Sequence, residues 1–228
     1  MALLEVKNLK KIYATRLGGN KVQALDSVNF TVEQGEYVAI MGESGSGKTT
    51  LLNIMASLDK PTGGQVILAG RNMADIKQKE LCAFRRDNLG FVFQDFNLLD
   101  TLSLKDNIFL PLVLAGRDWR DMEERINPLA VKLDIVQILE KYPYEVSGGQ
   151  KQRAAVARAL ITQPQIVLAD EPTGSLDSDS AGYITELLIK SAHVNKRCVI
   201  AVTHSNEFAD QADVLFHLKN GNLTMEKR

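Results

Sequence analysis

The chain has little cysteine, almost no net charge and no long apolar run. Its only cysteines, Cys82 and Cys198, lie far apart and form no CxxC pair. That pattern excludes a disulfide framework and a cysteine zinc site, and it suits a reducing cytosol. Cys198 sits in the apolar run CVIAV and reads as a buried strand residue. Lys and Arg total 27 against 28 Asp and Glu, a formal charge of −1. That balance argues against a nucleic-acid binder that relies on bulk positive charge, because phosphate contacts need clustered Lys and Arg, and leaves a local basic patch open. No nucleic-acid partner is expected. No apolar stretch approaches the roughly 20 residues that span a bilayer. The longest, IFLPLVLAG at 108–116, is short and holds Pro111. The opening residues MALLEVKNLKKIY carry no continuous apolar segment, so no secretory leader is expected. Repeats, low-complexity tracts and Pro/Gly/Ser linkers are also lacking. Any membrane role has to come through a partner.

What is present is an ordinary globular composition, 45% hydrophobic and 24% charged over 228 residues. A chain of this size buries roughly 70–75% of its unfolded surface, enough to fold without staples. Short β-rich runs come first, at Leu3–Val6, Val28–Val32, Glu36–Met41 and Gln65–Leu68, and a helical pattern runs over Lys48–Leu58. Gly90–Gln94 reads as another strand. The stretch from Asn97 to Tyr144 reads as helical throughout, with apolar residues at three- and four-residue spacings. A helix is expected over Gly149–Thr162, a strand over 166–170, a helix over Ser178–His193 capped by Ser178, and a strand over Cys198–Thr203. A short helix at Asn206–Ala212 then leads to a hairpin turning at Asn220-Gly221. The nearly all-apolar strands at 166–170 and 198–203 mark a parallel sheet covered on both faces. The expectation is one α/β domain over 1–228, its core drawn from about 1–94 and 151–228 with a helical insertion over about 95–150.

Between a strand and a helix stand Gly42, Glu43, Ser44, Gly45, Ser46, Gly47, Lys48 and Thr49, a full match to GxxxxGK[ST], with Thr50 next to it in the ATP-binding set. Glycines let successive backbone N–H groups curl around phosphate oxygens, and the helix N-terminus adds a favourable dipole. Lys48 is expected to reach the β- and γ-phosphates and Thr49 to offer its hydroxyl to Mg²⁺. The motif means nucleotide phosphate; it does not separate kinase, GTPase, helicase and transporter ATPase. The run IVLADEP at 166–172 is an apolar strand ending in two carboxylates, Asp170 and Glu171. Asp170 is expected to meet the Mg²⁺ held by Thr49. Adjacent strand residues point oppositely, which leaves Glu171 free to face the γ-phosphate and polarise a water.

A second glycine motif, Ser147-Gly148-Gly149-Gln150, opens the Ala-rich helix. Ser147 is a cap, and the glycines leave amides bare for an anion. With SGGQ lying between the loop lysine and the acidic strand end, the whole chain resembles the ATP-binding-cassette (ABC) ATPases. The resemblance implies a P-loop NTPase fold with a mixed-sheet core, an antiparallel β subdomain and a helical subdomain. It implies a head-to-tail homodimer, each ATP held between Gly42–Thr49 of one subunit and Ser147–Gln150 of the other. By the same resemblance Tyr13 stacks on adenine, although the residue also reads as a packed strand aromatic. Gln94 touches Mg²⁺ and the attacking water, and His204 contacts the γ-phosphate. Ser175, Leu176 and Asp177 form the dimer loop, with Ser175 replacing the usual Ala; Asp177 reads equally as a turn residue. His193 and His217 read as structural or surface residues.

Within the family the chain looks like the macrolide-exporter and lipoprotein-release type, on MGESGSGKTTLLNIMASLDKPTGG, FVFQDFNLLDTLSLKDNI and the longer segment 14–25. GESGSGKTTLLN with LDTLSLKDNIFLPLVLAG looks most like bacitracin- and lantibiotic-resistance exporters. That implies a separate membrane permease with a large extracellular domain, often paired with a sensor kinase, and a place on the cytoplasmic face of the membrane. An ATPase of a cell-division or lipoprotein-type mechanotransmitting complex is the alternative. Phe96, Leu98 and Leu99 are either the permease contact or packing of the insertion.

Overall fold

A computed structural model describes residues 2–14 and 21–226. In chain order the elements are β1 (Ala2–Ala14), β2 (Lys21–Glu33), β3 (Tyr37–Met41), α1 (Lys48–Met55), β4 (Gly63–Leu68), β5 (Arg71–Asn72), α2 (Gln78–Asn88) and β6 (Leu89–Val92). Then follow α3 (Leu104–Val113), α4 (Trp119–Lys132), α5 (Gly148–Leu160), β7 (Ile166–Asp170), α6 (Ser178–His193), β8 (Cys198–Thr203), α7 (Asn206–Ala209), β9 (Val214–Lys219) and β10 (Asn222–Glu226).

Two sheets result. One is antiparallel, in the order β2-β1-β4-β5; the other has six strands in the order β10-β9-β3-β8-β7-β6. In the second, β9, β3, β8, β7 and β6 run parallel and β10 closes the edge antiparallel. The alternation of side chains explains the unbroken apolar runs. Tyr37, Ala39, Val167, Ala169, Val199 and Ala201 enter a core shared with α3–α6. Val38, Ile40, Ile166, Leu168, Cys198 and Ile200 enter a second core shared with α1 and the antiparallel sheet. Both faces are covered, so no position needs to be polar. The fold is α/β with one antiparallel and one mixed sheet, as the family resemblance implies; the all-apolar strands alone mark only its parallel part.

The strand at 166–170, the helix at 178–193, the strand at 198–203 and the Asn220-Gly221 turn stand where they are expected. Other elements differ. β1 and β2 are far longer than the runs read from sequence. Their registers shift between Val6 and Leu9, where Asn8 takes a positive φ of 49°, and such a bulge erases the two-residue alternation. Helix α2 has a single buried residue, Phe84, so it carries no apolar stripe to read. The helical reading of Asn97–Tyr144 holds over Leu104–Val113 and Trp119–Lys132 only; from Leu133 to Tyr144 the chain makes turns and short 3-10 segments. Before Leu104, the buried Asn107 amide donates to the carbonyls of Leu99, Leu102 and Ser103 and accepts from Leu99 N–H, satisfying an irregular loop. Helix α6 is capped by Asp177, not Ser178: Asp177 is extended at ψ 161° and its carboxylate accepts from Ser180 N–H at 2.9 Å. The final helix stops at Ala209.

Candidate functional site

Strand β3 delivers the loop Gly42–Gly47 to the start of α1. Gly47 caps that helix at φ 106°, and a Cβ there would stand 2.4 Å from the Ala24 carbonyl oxygen, so the position tolerates only glycine. Lys48 is buried, and its Nζ donates to the carbonyls of Gly42 and Glu43 at 2.7 and 3.0 Å. Its charge is held inside the loop, not in solvent. Ser46 Oγ is buried with no hydrogen-bond partner among the described residues. A buried polar atom left unpaired is costly, and an oxygen-rich ligand would satisfy it. Glu43, Ser44, Gly45 and Thr49 are exposed and Thr50 is half-buried. A pocket beside the loop is lined by Gly42–Ser46 and by His217–Asn220 of the β9–β10 hairpin.

The acidic strand end meets this loop. The Thr49 side chain stands close enough to Asp170 to favour its charged form. Burial, and secondarily the charge of Glu171, push the Asp170 carboxyl up; Thr49 and Lys48 oppose this. Glu171 does not continue the strand. It takes φ 44° and is buried. A non-glycine residue in that region stores strain of the kind found at working sites. Its Oε1 lies 2.8 Å from His204 Nδ1, and its Oε2 accepts from the His204 backbone N–H at 3.2 Å. The His204 ring itself remains exposed. Gln94 lies two residues past the end of β6, not within the strand. Its Nε2 and the Glu171 Cβ stand 3.7 and 3.6 Å from where a side chain on Gly174 would begin. Gln94, Gly174 and Glu171 are therefore neighbours.

The described residues hold no cluster of three or more His, Cys, Asp or Glu able to grip a metal. One carboxylate and one hydroxyl, at Asp170 and Thr49, suit Mg²⁺, which takes one or two carboxylates and completes its shell with water and phosphate oxygens.

Ser147–Gln150 forms a reciprocal cap. Ser147 Oγ accepts from Gln150 N–H at 3.3 Å, and Gln150 Oε1 accepts from Ser147 N–H at 3.0 Å. Gly149 passes so close to α6 that a Cβ would stand 2.4 Å from Ser180 Oγ. The Cβ position of Gly148 is 3.8 Å from the Ser175 carbonyl oxygen and 3.9 Å from the Phe96 ring. This segment thus lies against Ser175 and Ser180 of its own chain. None of its residues lines the pocket beside Gly42–Ser46. Ser175 is exposed, Leu176 packs on the core, and Asp177 serves the cap of α6, which holds its carboxyl below the usual range mainly through the Ser180 N–H.

Tyr13 is 43% exposed, so it is no core aromatic. Its hydroxyl donates to Asp59 Oδ2 at 2.8 Å, and the Lys11 ammonium sits 4.6 Å from its ring centre. Slight burial opposes ionisation of Asp59, but hydrogen bonds from Lys11, Tyr13 and the Lys60 N–H hold its carboxyl low. Residues 15–20 of the segment following Tyr13 lie outside the described residues. His193 pairs with Asp213 at 2.9 Å and His217 with Glu226 at 2.6 Å.

Of the apolar trio, Phe96 and Leu98 are half-buried, with Leu98 packed on the core, and Leu99 is exposed. Beside them lies a mostly apolar groove of about 590 Å³ that sequence reasoning missed. Leu58, Cys82, Arg85, Phe91, Phe93, Leu110, Pro111, Leu114 and Arg158 line it. Its residues come from four separate stretches of chain, so no local pattern announces it. Also missed were two polar residues of α5. Gln152 is buried and donates to the Pro172 carbonyl at 2.7 Å. Arg158 donates to the carbonyls of Phe96 and Asn97. A charged residue inside AAVARALI was the available signal.

Residues 25–174 match the model of the ABC transporter family. The bacitracin export ATP-binding protein BceA of Halalkalibacterium halodurans is 46% identical over 226 residues, covering 98% of this chain and 87% of that protein. The macrolide export ATP-binding/permease protein MacB of Hyphomonas neptunium is 40% identical over 97% of this chain, which spans 34% of MacB. Among solved structures, the dimeric post-hydrolysis state of the ATP-binding cassette MJ0796, bound to ADP and Pi, superposes with a TM-score of 0.90 at 38% identity, covering 98% of each chain. With a P-loop, an acidic strand end and the SGGQ segment in place on this fold, the chain belongs to the ABC transporter family, as an ATP-binding subunit with ATPase activity.

Proposed function

We propose that this ATPase works as a head-to-tail homodimer on a separate membrane permease that exports antimicrobial peptides of the bacitracin type. The observation that carries the chemistry is the Glu171 carboxylate, which grips His204 by both backbone and ring, next to the Thr49–Asp170 pair. The peptide cargo is supported by the likeness to BceA over nearly the whole chain. An indirect link to a sensor kinase belongs to the same reading.

ATP binds with its phosphates in the amides of Gly42–Thr50 and its adenine on Tyr13. Lys48 leaves the Gly42 and Glu43 carbonyls for the phosphate oxygens, and Ser46 Oγ gains a partner. Thr49 and Asp170, with Gln94 alongside, would hold Mg²⁺. When bound, that ion neutralises phosphate charge. Ser147–Gln150 of the partner subunit completes the site from above, the dimer contact running through Ser175–Asp177. The separation of SGGQ from the P-loop pocket in one chain supports this division. Glu171 polarises the attacking water, worth about 10²–10⁴ in rate. The His204 ring, oriented through Nδ1, presents Nε2 to the γ-phosphate side. ATP and ADP favour the closed and open dimers differently, and that difference drives the permease.

The groove between α2, α3 and α5, with Phe96–Leu99 at its edge, seats a permease segment. The chain is then peripheral to the cytoplasmic face of the membrane. It divides into a core of about 1–94 and 151–228 and a helical part of about 95–150. Deleting the gene in its host and challenging with bacitracin tests the cargo. An unchanged inhibitory concentration rejects the peptide assignment and leaves the ATPase chemistry standing.

A further inference from the structure

We propose that Arg158 is a positioning residue for Gln94: from the groove wall it clamps the loop that follows Gln94 and so sets where that amide stands against Glu171. The inference rests on the reading above of Gln94 and of the groove.

The loop needs a clamp. Phe96 and Asn97 have consecutive positive φ values of 63° and 49°. Such conformations are costly for non-glycine residues, most of all for a bulky one such as Phe96, and persist only where their surroundings over-determine them. Arg158 supplies that determination. Its Nη2 donates to the Phe96 carbonyl at 2.7 Å and its Nη1 donates to the Asn97 carbonyl. The planar fork reaches both carbonyls at once, a geometry that lysine lacks. Burial pulls the guanidinium below its usual pKa, though it stays charged near neutrality, so the donors are strong and partly desolvated.

The clamp is anchored at both ends. Arg158 lies on α5, the helix that opens with Ser147–Gln150 and whose Gln152 holds Pro172, next to Glu171. Gly90 of β6 lets α5 come close: a Cβ there would stand 2.4 Å from the Ala159 carbonyl. Arg158 also lines the groove with Phe93 and Leu110. A segment seated there presses on the same guanidinium that holds the Gln94 loop. One side chain therefore joins groove, loop and the SGGQ helix.

The test is a double-mutant cycle on the full chain with Arg158→Gln and Gln94→Ala, read by kcat and KM for ATP and by amide hydrogen exchange. Arg158→Gln is expected to lower kcat tenfold to a hundredfold, the scale of an ångström-sized misplacement, with KM within about twofold. Exchange over residues 93–99 should quicken at least tenfold while α5 stays protected. Gln94→Ala should lower kcat as well, and the double variant should fall no further than the worse single. Arg158→Lys should recover part of the rate; it takes the place of Arg158→Gln in the cycle if that variant fails to fold. Multiplying losses, or unchanged exchange over 93–99, overturn the inference alone. A silent Gln94→Ala overturns the role given to Gln94, and the inference with it.

Discussion

The Glu171 carboxylate accepts from His204 twice, at the backbone N–H and at ring Nδ1, across the ends of β7 and β8. The pair fixes two things at once. The bond to Nδ1 orients the imidazole and leaves Nε2 free, while the buried carboxylate is held rigid at the strand end. Glu171→Gln keeps the shape and one acceptor but removes the negative charge. Turnover should fall by about 10²–10⁴ while ATP binding stays within a few-fold. Steady-state hydrolysis and nucleotide titration check it; a near wild-type rate removes Glu171 from the base role.

His204→Ala separates orientation from charge. The ring is exposed, so its loss leaves no cavity and the unfolding midpoint should barely move. If Nε2 meets the γ-phosphate side, kcat should drop about tenfold to a thousandfold, the range for one lost transition-state contact, with little change in KM. A KM-only effect would make His204 a binding residue.

Elements buried on both faces are the ones the sequence made legible. β7 and β8 announce themselves because every side chain enters one of two cores, and the P-loop because its chemistry is local. Glu171 is instructive: strand alternation separated its role from that of Asp170, yet the separation comes from its left-handed backbone, which no pattern of apolar residues encodes. Helix α2 and the irregular 97–103 loop were hidden for a related reason. One has a single buried residue, and the other is held by the Asn107 amide instead of a repeat. The groove joins side chains from four stretches, so it exists only after folding.

Gly149→Ala probes the contact between the SGGQ segment and the start of α6. A methyl group 2.4 Å from Ser180 Oγ forces the two apart. Overpacking of this kind costs about 1–3 kcal/mol, or roughly 3–10 °C in a chain this long. Calorimetry should show that drop, and Ser180→Gly should return part of it. No rescue would mean that the clash is relieved elsewhere.

Asp170 carries a sign that can be followed with pH. Its carboxyl is pushed up, chiefly by burial, so the folded state holds the proton more tightly than the unfolded state. Raising the pH through the window just above the usual aspartate value therefore costs stability, and the cost persists at neutral pH. Asp170→Asn removes it. The variant should melt higher than the wild type near pH 7, and the gain should vanish towards pH 3, where the aspartate is neutral in both states. Turnover should be lost at every pH, because the carboxylate suited to Mg²⁺ is gone. A melting gain that grew in acid would reverse the assignment.

The groove invites the most selective lesion. Leu114 lines it and is 75% exposed, so Leu114→Glu disturbs no core. A charge there must be desolvated when an apolar segment seats, at a cost of a few kcal/mol, or about a hundredfold or more in affinity. Hydrolysis by the chain alone should stay within twofold, because Leu114 touches none of Lys48, Asp170, Glu171 or His204. Co-purification with a permease from host membranes should fall sharply. Retention of the permease at wild-type yield would move the docking surface away from the groove, towards Leu99 and the exposed edge of its loop.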